Sequence, residues 1–316
     1  MKVRKPFVFR AAYWGVFILI VTQLLTFVVI MRENTFLEEQ QIYVPSQPSE
    51  PVTIWPGTTT LPSGEVETKS AYSSLGPILI YFLAVVALLG IILFKIPLNA
   101  LRIILRFVFV FLFCWGIFIF LIFWLPLPLT LLIAAGAGLS WYFSPRIWLH
   151  NTVLIIAMVS LGAVFGRLIS PWTAMILLGA IAIYDFLAVR FGFMLWMANK
   201  LSESNTLPAF FLPHSFSDLN ISLKHFSLNN IAGIPQVERQ FSILGGGDVG
   251  FPVLLMSSVY FSSGFPSAVC IAISTALGLV LAYAIQSLFL KGRPVPAIPP
   301  IALTGLIGLL FVQFIL

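Results

Sequence analysis

The sequence predicts an all-α polytopic membrane protein with nine transmembrane helices. The chain of 316 residues is 59% hydrophobic and only 9% charged, and its mean hydropathy is +1.03. A soluble domain of this size carries far more charge, so the composition excludes one. Inside a bilayer the backbone polar groups can bond only to one another, and apolar runs of this kind therefore cross it as helices.

Nine apolar runs have about the 20 residues that a helix needs to span a bilayer. Two long polar stretches interrupt them, namely 32–75, which is rich in Pro, Ser, Thr and Glu, and about 199–240. These stretches divide the chain into an N-terminal half, 1–198, with spans one to six, and a C-terminal half, 241–316, with spans seven to nine. The predicted spans are 11–31, 76–95, 103–124, 127–144, 151–169, 172–197, 241–262, 266–290 and 295–316.

The placement of Lys and Arg predicts the orientation of the bundle. With the N-terminus in the cytoplasm, most of the 17 Lys and Arg residues lie on the cytoplasmic side, while Arg32, Lys69 and Arg167 lie outside. This bias predicts an N-inside, C-outside topology, with an external loop at 32–75 and a cytoplasmic loop at 199–240. The net charge of +6 is spread in short clusters beside apolar runs, so it does not indicate nucleic-acid binding.

Two of the 11 acidic residues fall inside predicted spans. They are Asp185, in "AIAIYDFLAVR", and Asp248, in "LGGGDVGFP". A charged side chain at mid-bilayer costs about 3 kcal/mol, so both are expected to serve a function. Asp185 is roughly 8 Å along a helix from Arg190, and Asp248 is roughly 13 Å from Arg239. Because spans six and seven run in opposite directions, the two carboxyl groups are predicted to meet near the cytoplasmic side.

Two carboxylates a few ångströms apart cannot both ionise easily, so such a pair shares one proton near neutral pH. The arrangement predicts aspartic protease chemistry. The ionised member takes a proton from a water molecule that attacks an amide carbonyl, while the protonated member donates a hydrogen bond to the developing oxyanion. Gly245, Gly246 and Gly247 remove side chains from the approach to Asp248, so that another backbone can come close.

A cluster of prolines lies at the start of the last predicted span. The run "RPVPAIPPIAL", from Arg293 to Leu303, cannot start a regular helix along its whole length. We expect an extended or kinked entry into the span. Unpaired backbone groups there could hold a substrate strand by edge pairing.

The stretches around Asp185, Asp248 and the prolines follow one another in this order along the chain. Tyr184-Asp185, the run from Gly245 to Asp248, and Pro296-Ala297-Ile298-Pro299 resemble the YD, GxGD and PAL(P) motifs of the presenilin and signal peptide peptidase family of intramembrane aspartyl proteases. Nine spans, with the acids in spans six and seven, also resemble this family, and the compact length resembles its archaeal homologues. Ile298 departs from the pattern, which has Leu at this position.

The resemblance implies a role for each motif. Asp185 and Asp248 would be the catalytic pair, Tyr184 and Gly245 to Gly247 would shape the site, and Pro296, Ala297 and Ile298 would help to bind substrate. Neither a metal nor a cofactor would be needed. The substrates would be single-span transmembrane proteins, preferably N-outside, cut by a multi-pass protein of the plasma membrane. The resemblance leaves open the oligomeric state and whether the 199–240 loop is cut by the enzyme itself.

Two other functional classes remain open on the residues alone. Prepilin and preflagellin peptidases also use a GxGD motif, but they cut near the cytoplasmic surface and lack the proline motif. A proton-coupled transporter would use Asp185 in a proton relay and would cleave no peptide bond. The histidines His150, His214 and His225 are expected at interfaces or in the polar loop, where they suggest no metal site.

Overall fold

The computed structural model of the chain describes residues 7–39, 57–60, 66–69, 97–192, 207–213, 215–223, 241–288 and 296–315, with positions 80, 84, 88 and 95. Within these residues lie seven α-helices, two antiparallel two-stranded sheets and a short 3₁₀ helix, Phe216–Asn220. The helices are α1 (Phe7–Glu39), α2 (Leu98–Leu121), α3 (Leu127–Phe143), α4 (Ile147–Leu168), α5 (Pro171–Arg190), α6 (Gly247–Leu288) and α7 (Ile298–Ile315). The strands are β1 (Gly57–Thr60), β2 (Val66–Lys69), β3 (Ala209–Pro213) and β4 (Phe241–Gly245).

The helices have the length and composition of a membrane bundle. Six of the described helices are long and apolar enough to cross a bilayer, and α3 is a shorter apolar helix. This confirms the predicted all-α membrane class. The predicted second span, 76–95, lies almost entirely outside the described residues. The total of nine spans and the N-inside orientation therefore remain predictions.

The helix α6 is 42 residues long and is broken near its middle. At Gly264 the backbone has φ 83° and ψ −179°, a conformation that favours glycine because it has no Cβ. Pro266 lies two residues later and lacks the N–H that would continue the helix across the break. The predicted spans 241–262 and 266–290 lie on the two sides of this point.

The predicted start of the seventh span at residue 241 is wrong. Residues 241–245 form β4, which pairs with β3 in a register that runs from Ala209↔Gly245 to Pro213↔Phe241. The helix begins only at Gly247. Consecutive glycines are poor helix formers, so pairing with β3 satisfies the backbone groups of this segment better than an extra helical turn.

The helix α6 lies at the centre of the bundle, where it contacts α1, α4, α5 and α7. Small residues allow the close approach of α4. A Cβ added at Gly162 would lie against Val253, and one added at Gly166 would collide with Ser257. Glycines four residues apart are a common device for close helix packing in membranes. The close packing holds the start of α6, and hence Asp248, against α4.

Candidate active site

Asp185 lies on the buried face of α5. The helix begins with Pro171, and the Ser170 side chain caps it by accepting a hydrogen bond of 3.2 Å from the Thr173 N–H. One face of the helix is a buried stripe that has helical spacing. This stripe contains Leu178, Ile181, Ala182 and Asp185. The side chain of Asp185 is thereby directed into the bundle, and the residue is only 9% exposed.

Asp248 is the second residue of α6 and is held by the strand that precedes it. The N–H of Gly246 donates to the Pro208 carbonyl oxygen over 3.0 Å, which extends the β3–β4 pairing by one step. The N–H of Gly250 then donates to the Gly246 oxygen over 2.8 Å, which closes the first helical turn. The backbone of Gly245 hydrogen-bonds to the carboxyl group of the partly buried Asp248.

The structure brings the three sequence motifs to one place. The carboxyl groups of Asp185 and Asp248 lie close enough to interact electrostatically. The N–H of Ile298 donates to Asp185 Oδ2 over 3.4 Å. The Ile298 side chain also reaches the glycine run, since its Cδ1 lies 3.9 Å from the position of a Cβ on Gly247. Residues that are far apart in sequence thus form one cluster inside the bundle.

Both carboxyl groups lie at the N-terminal ends of helices. Asp248 is in the first turn of α6, and Asp185 accepts its hydrogen bond from the first residue of α7, Ile298. The unpaired N–H groups and the dipole at a helix N-terminus favour a negative charge. Each carboxyl group therefore lies beside a helix end that has N–H groups without a partner in the helix.

The glycine run leaves little room for side chains, least of all at Gly246. A Cβ on Gly246 would lie 2.9 Å from the Pro208 oxygen, and one on Gly247 would lie 3.2 Å from the Phe251 ring. A Cβ on Gly245 would lie 3.1 Å from Asp248 Oδ2. Glycine at these positions therefore allows the strand, the helix start and the carboxyl group to occupy a small volume.

The proline motif forms the entry to α7. Pro296 and Ala297 lie outside the helix, as the proline cluster predicted, and the helix begins at Ile298. Pro299 and Pro300 fit into its first turn because the N–H groups there have no partner within the helix. The N–H of Ile298 is consequently free to point at Asp185. Tyr184, the remaining predicted site residue, is half-buried beside Asp185 on α5.

Two residues near the site were not predicted from the sequence. The hydroxyl of Tyr283, in the second half of α6, interacts electrostatically with Asp248, and its ring packs on α1 where a Cβ on Gly15 would collide with it. Met158 of α4 lies over Gly246 and Gly250. A single Tyr or Met in an apolar run gives no signal of such a position, because only the packing of α1, α4 and α6 brings it there.

Two carboxyl groups thus lie near each other inside a bundle of apolar helices. Comparison with protein families identifies the class of protein. The model of the family described as signal-peptide peptidase, presenilin aspartyl protease matches residues 64–316, a range that contains both acids and the proline motif. The chain belongs to this family and is an aspartic endopeptidase of the membrane.

Solved structures show the same fold. Two crystal structures of a presenilin family intramembrane aspartate protease, in the C222 and P2 space groups, superpose with a TM-score of 0.53 each. They are 15% and 16% identical in sequence to this chain, cover 93% and 94% of it, and are themselves covered to 95%. In a comparison with curated protein sequences, no match is found.

Proposed function

We propose that Asp185 and Asp248 form a catalytic pair that hydrolyses peptide bonds within or near the transmembrane helices of single-span proteins. The observation that carries the proposal is the meeting of the two carboxyl groups between spanning helices, each with a backbone hydrogen bond. Two acids that interact and are both held at helix N-termini suit a pair that carries one charge and one proton.

In this mechanism the two acids exchange roles around one water molecule. The ionised carboxylate removes a proton from the water, whose oxygen attacks the carbonyl carbon of the scissile bond. The protonated carboxyl donates its hydrogen to the carbonyl oxygen as negative charge develops there. The tetrahedral intermediate then breaks its C–N bond, the amine takes up a proton, and a carboxylic acid and an amine leave.

The neighbouring motifs are proposed to shape the site and hold the substrate. Within the described residues, β4 pairs with β3 along one edge only, so its other edge offers backbone groups to an extended peptide. The partly buried, non-helical entry at Pro296 and Ala297 offers a second place for such a peptide. A helical substrate must unwind to be cut, and strand pairing would hold the unwound segment beside Asp248.

The orientation and location of the protein complete the proposal. The N-inside topology predicted from the cations favours N-outside single-span substrates, and the protein would be a multi-pass protein of the plasma membrane. The catalytic groups named here need neither a metal nor a cofactor.

A cleavage assay tests this function. The wild type, Asp185→Ala, Asp248→Ala and Asp218→Ala are purified in mild detergent, and each is incubated with an N-outside single-span substrate whose products are weighed. Asp218 is a matched control because it lies in the 3₁₀ helix, where it accepts a 3.0 Å hydrogen bond from the Ser215 N–H. We expect cuts inside the hydrophobic segment by the wild type and Asp218→Ala, and at least a 1,000-fold loss, roughly, in each of the other two.

The outcomes separate the functional classes. Substantial cleavage by either Asp185→Ala or Asp248→Ala would reject the catalytic pair. A cut only near the cytoplasmic end of the substrate would favour a prepilin-type peptidase. If a folded wild type cuts neither N-outside nor N-inside substrates but shows ion flux that depends on Asp185, the transporter class is favoured.

A further inference from the structure

The first turn of α4 holds β3 through two neighbouring side chains, His150 and Asn151. The sequence places His150 at an interface or in the polar loop. In the structure His150 is buried, with 1% exposed, and Asn151 is 8% exposed. A buried polar side chain is costly unless it forms hydrogen bonds, and each of the two residues forms at least one with β3. We call this pair the α4 clamp.

Asn151 acts as a substitute for a neighbouring strand. Its Nδ2 donates to the Phe211 carbonyl oxygen over 2.7 Å, and its Oδ1 accepts from the Phe211 N–H over 3.0 Å. Both backbone groups of one β3 residue are thus satisfied by a single side-chain amide. This is the pattern that a residue of a paired antiparallel strand would provide.

His150 contacts β3 at Ala209, two residues before Phe211. The Trp141 Nε1–H can only donate, and it lies 3.1 Å from His150 Nδ1. Nδ1 is therefore the acceptor, which places the imidazole proton on Nε2. Nε2 lies 3.0 Å from the Ala209 carbonyl oxygen and donates to it. The neutral ring is thus fixed between α3 and β3.

The two contacts determine which way β3 faces. Along an antiparallel strand, backbone groups of successive residues point to opposite edges. The backbone groups of Ala209 and Phe211 point toward α4. The backbone groups of Phe210 and Leu212 therefore point toward β4, where these residues lie opposite Leu244 and Ser242. A shift of β3 by one residue would break both clamp contacts and would also turn every backbone group of the strand around.

The position of β3 is passed on to Asp248 through a short series of contacts. Ala209 lies opposite Gly245 in the register, and the Pro208 oxygen accepts from the Gly246 N–H over 3.0 Å. The backbone of Gly245 in turn hydrogen-bonds to the Asp248 carboxyl. From the clamp to the carboxyl group, each step is a backbone pairing or a hydrogen bond.

The same face of α4 also contacts the turn between β4 and α6. Met158 lies seven residues after Asn151, which is about two helical turns, and covers Gly246. One rigid helix thus contacts the strand before the acid and the turn that leads into it.

We propose that His150 and Asn151 are positioning residues for the cleavage reaction, which set the register of β3 and β4 and thereby place the Asp248 carboxyl opposite Asp185. The inference rests on the proposed catalytic pair and adds a device that aligns it. Neither clamp residue is proposed to touch the substrate or the water.

The test compares Asn151→Ala with a matched variant on the same helix. Ser160→Ala removes an equally buried hydrogen bond of α4, from Ser160 Oγ to the Gly116 oxygen over 2.6 Å, but on the side that faces α2. For each protein kcat, KM, the masses of the products, thermal unfolding and amide exchange in 241–245 are measured. We expect Asn151→Ala to lower kcat by about 10- to 100-fold with little change in KM, since small misplacements of reacting groups cost rates of this size.

Two further measurements distinguish a loss of positioning from a loss of stability. Asn151→Ala should scatter the cut positions and speed amide exchange in 241–245, whereas Ser160→Ala should do neither even if its unfolding temperature falls as far. His150 provides a second pair of variants. His150→Gln keeps an N–H that can reach the Ala209 oxygen and should retain most of kcat, whereas His150→Leu lacks it and should resemble Asn151→Ala.

Wild-type kcat and cut positions in both Asn151→Ala and His150→Leu would overturn the proposal, as would an equal loss of kcat in Ser160→Ala. A wild type that cuts nothing would instead reject the catalytic function. The two failures are distinguishable because amide exchange in 241–245 reports the strand without any cleavage.

Discussion

The N–H of Ile298 donates a hydrogen bond of 3.4 Å to Asp185 Oδ2, although the two residues are 113 positions apart. Ile298 is the first residue of α7, and its N–H has no partner within that helix. The proline motif therefore does more than interrupt a span. It exposes a backbone donor at the depth of the acid, and the Ile298 side chain meanwhile packs towards Gly247.

Replacing Ile298 separates its backbone donor from its side chain. Ile298→Pro removes the N–H at a helix position where proline is otherwise accepted, so the protein should fold but lose about 10-fold or more of its kcat. Ile298→Ala keeps the donor and loses only packing, and Ile298→Leu restores the family residue. Both should retain more activity than the proline variant. A proline variant as active as Ile298→Ala would show that the hydrogen bond to Asp185 does not matter.

The rate of cleavage should fall at both ends of the pH range. At low pH the pair gains a second proton and has no base left to activate water. At high pH it loses the shared proton and has no donor for the oxyanion. We expect a bell-shaped plot of kcat between about pH 4 and pH 9, with the fold monitored by circular dichroism at each point. A flat profile over a range in which the protein stays folded would contradict a shared proton.

Gly246 should not tolerate a side chain. A Cβ there lies 2.9 Å from the Pro208 oxygen, which is backbone and cannot move aside without disturbing β3. Gly246→Ala should therefore reduce cleavage about 10-fold or more. Gly179→Ala is the control, since it lies on α5 with Asp185 and a Cβ there meets no atom within 4 Å. Its activity should stay within about twofold of the wild type. Equal activity of the two variants would argue against close packing at Gly246.

The hydroxyl of Tyr283 should contribute to catalysis through Asp248. Tyr283→Phe keeps the ring carbons beside Gly15 and removes the hydroxyl, which lies against Gly15 and also interacts with the acid. We expect kcat to fall by about 3- to 10-fold with an unchanged unfolding temperature, because the loss is confined to the electrostatics of the site. An unchanged kcat would indicate that the ring alone is needed there.

The sequence predicted the membrane class because hydropathy acts over whole segments. The apolar composition of the run 127–144 predicts a helix, and the helix found there is Leu127–Phe143. The buried acids could also be found, since a charge in an apolar run is costly and therefore rare. The break between the predicted spans 241–262 and 266–290 carried its own local signal in Gly264 and Pro266.

The strands before α6 were missed for a physical reason. The segment 241–245 is apolar and continuous with the helix that follows, so hydropathy alone assigns it to a span. Whether this segment forms a strand depends on β3, a partner more than 25 residues away in the chain, and on the α4 clamp that holds β3. Pairing of this kind is non-local and leaves no periodicity in the segment itself.

The sequence by itself thus determined that the protein lies in a membrane, where its two intramembrane acids are in the chain, and which motifs resemble those of aspartic proteases. Each of these depends only on residue type and spacing. Only the tertiary structure decided that Ile298 faces Asp185, that Tyr283 approaches Asp248, and that His150 and Asn151 hold the strand beside the site. Such contacts join residues that are distant in the chain, and they form only when the helices pack against one another.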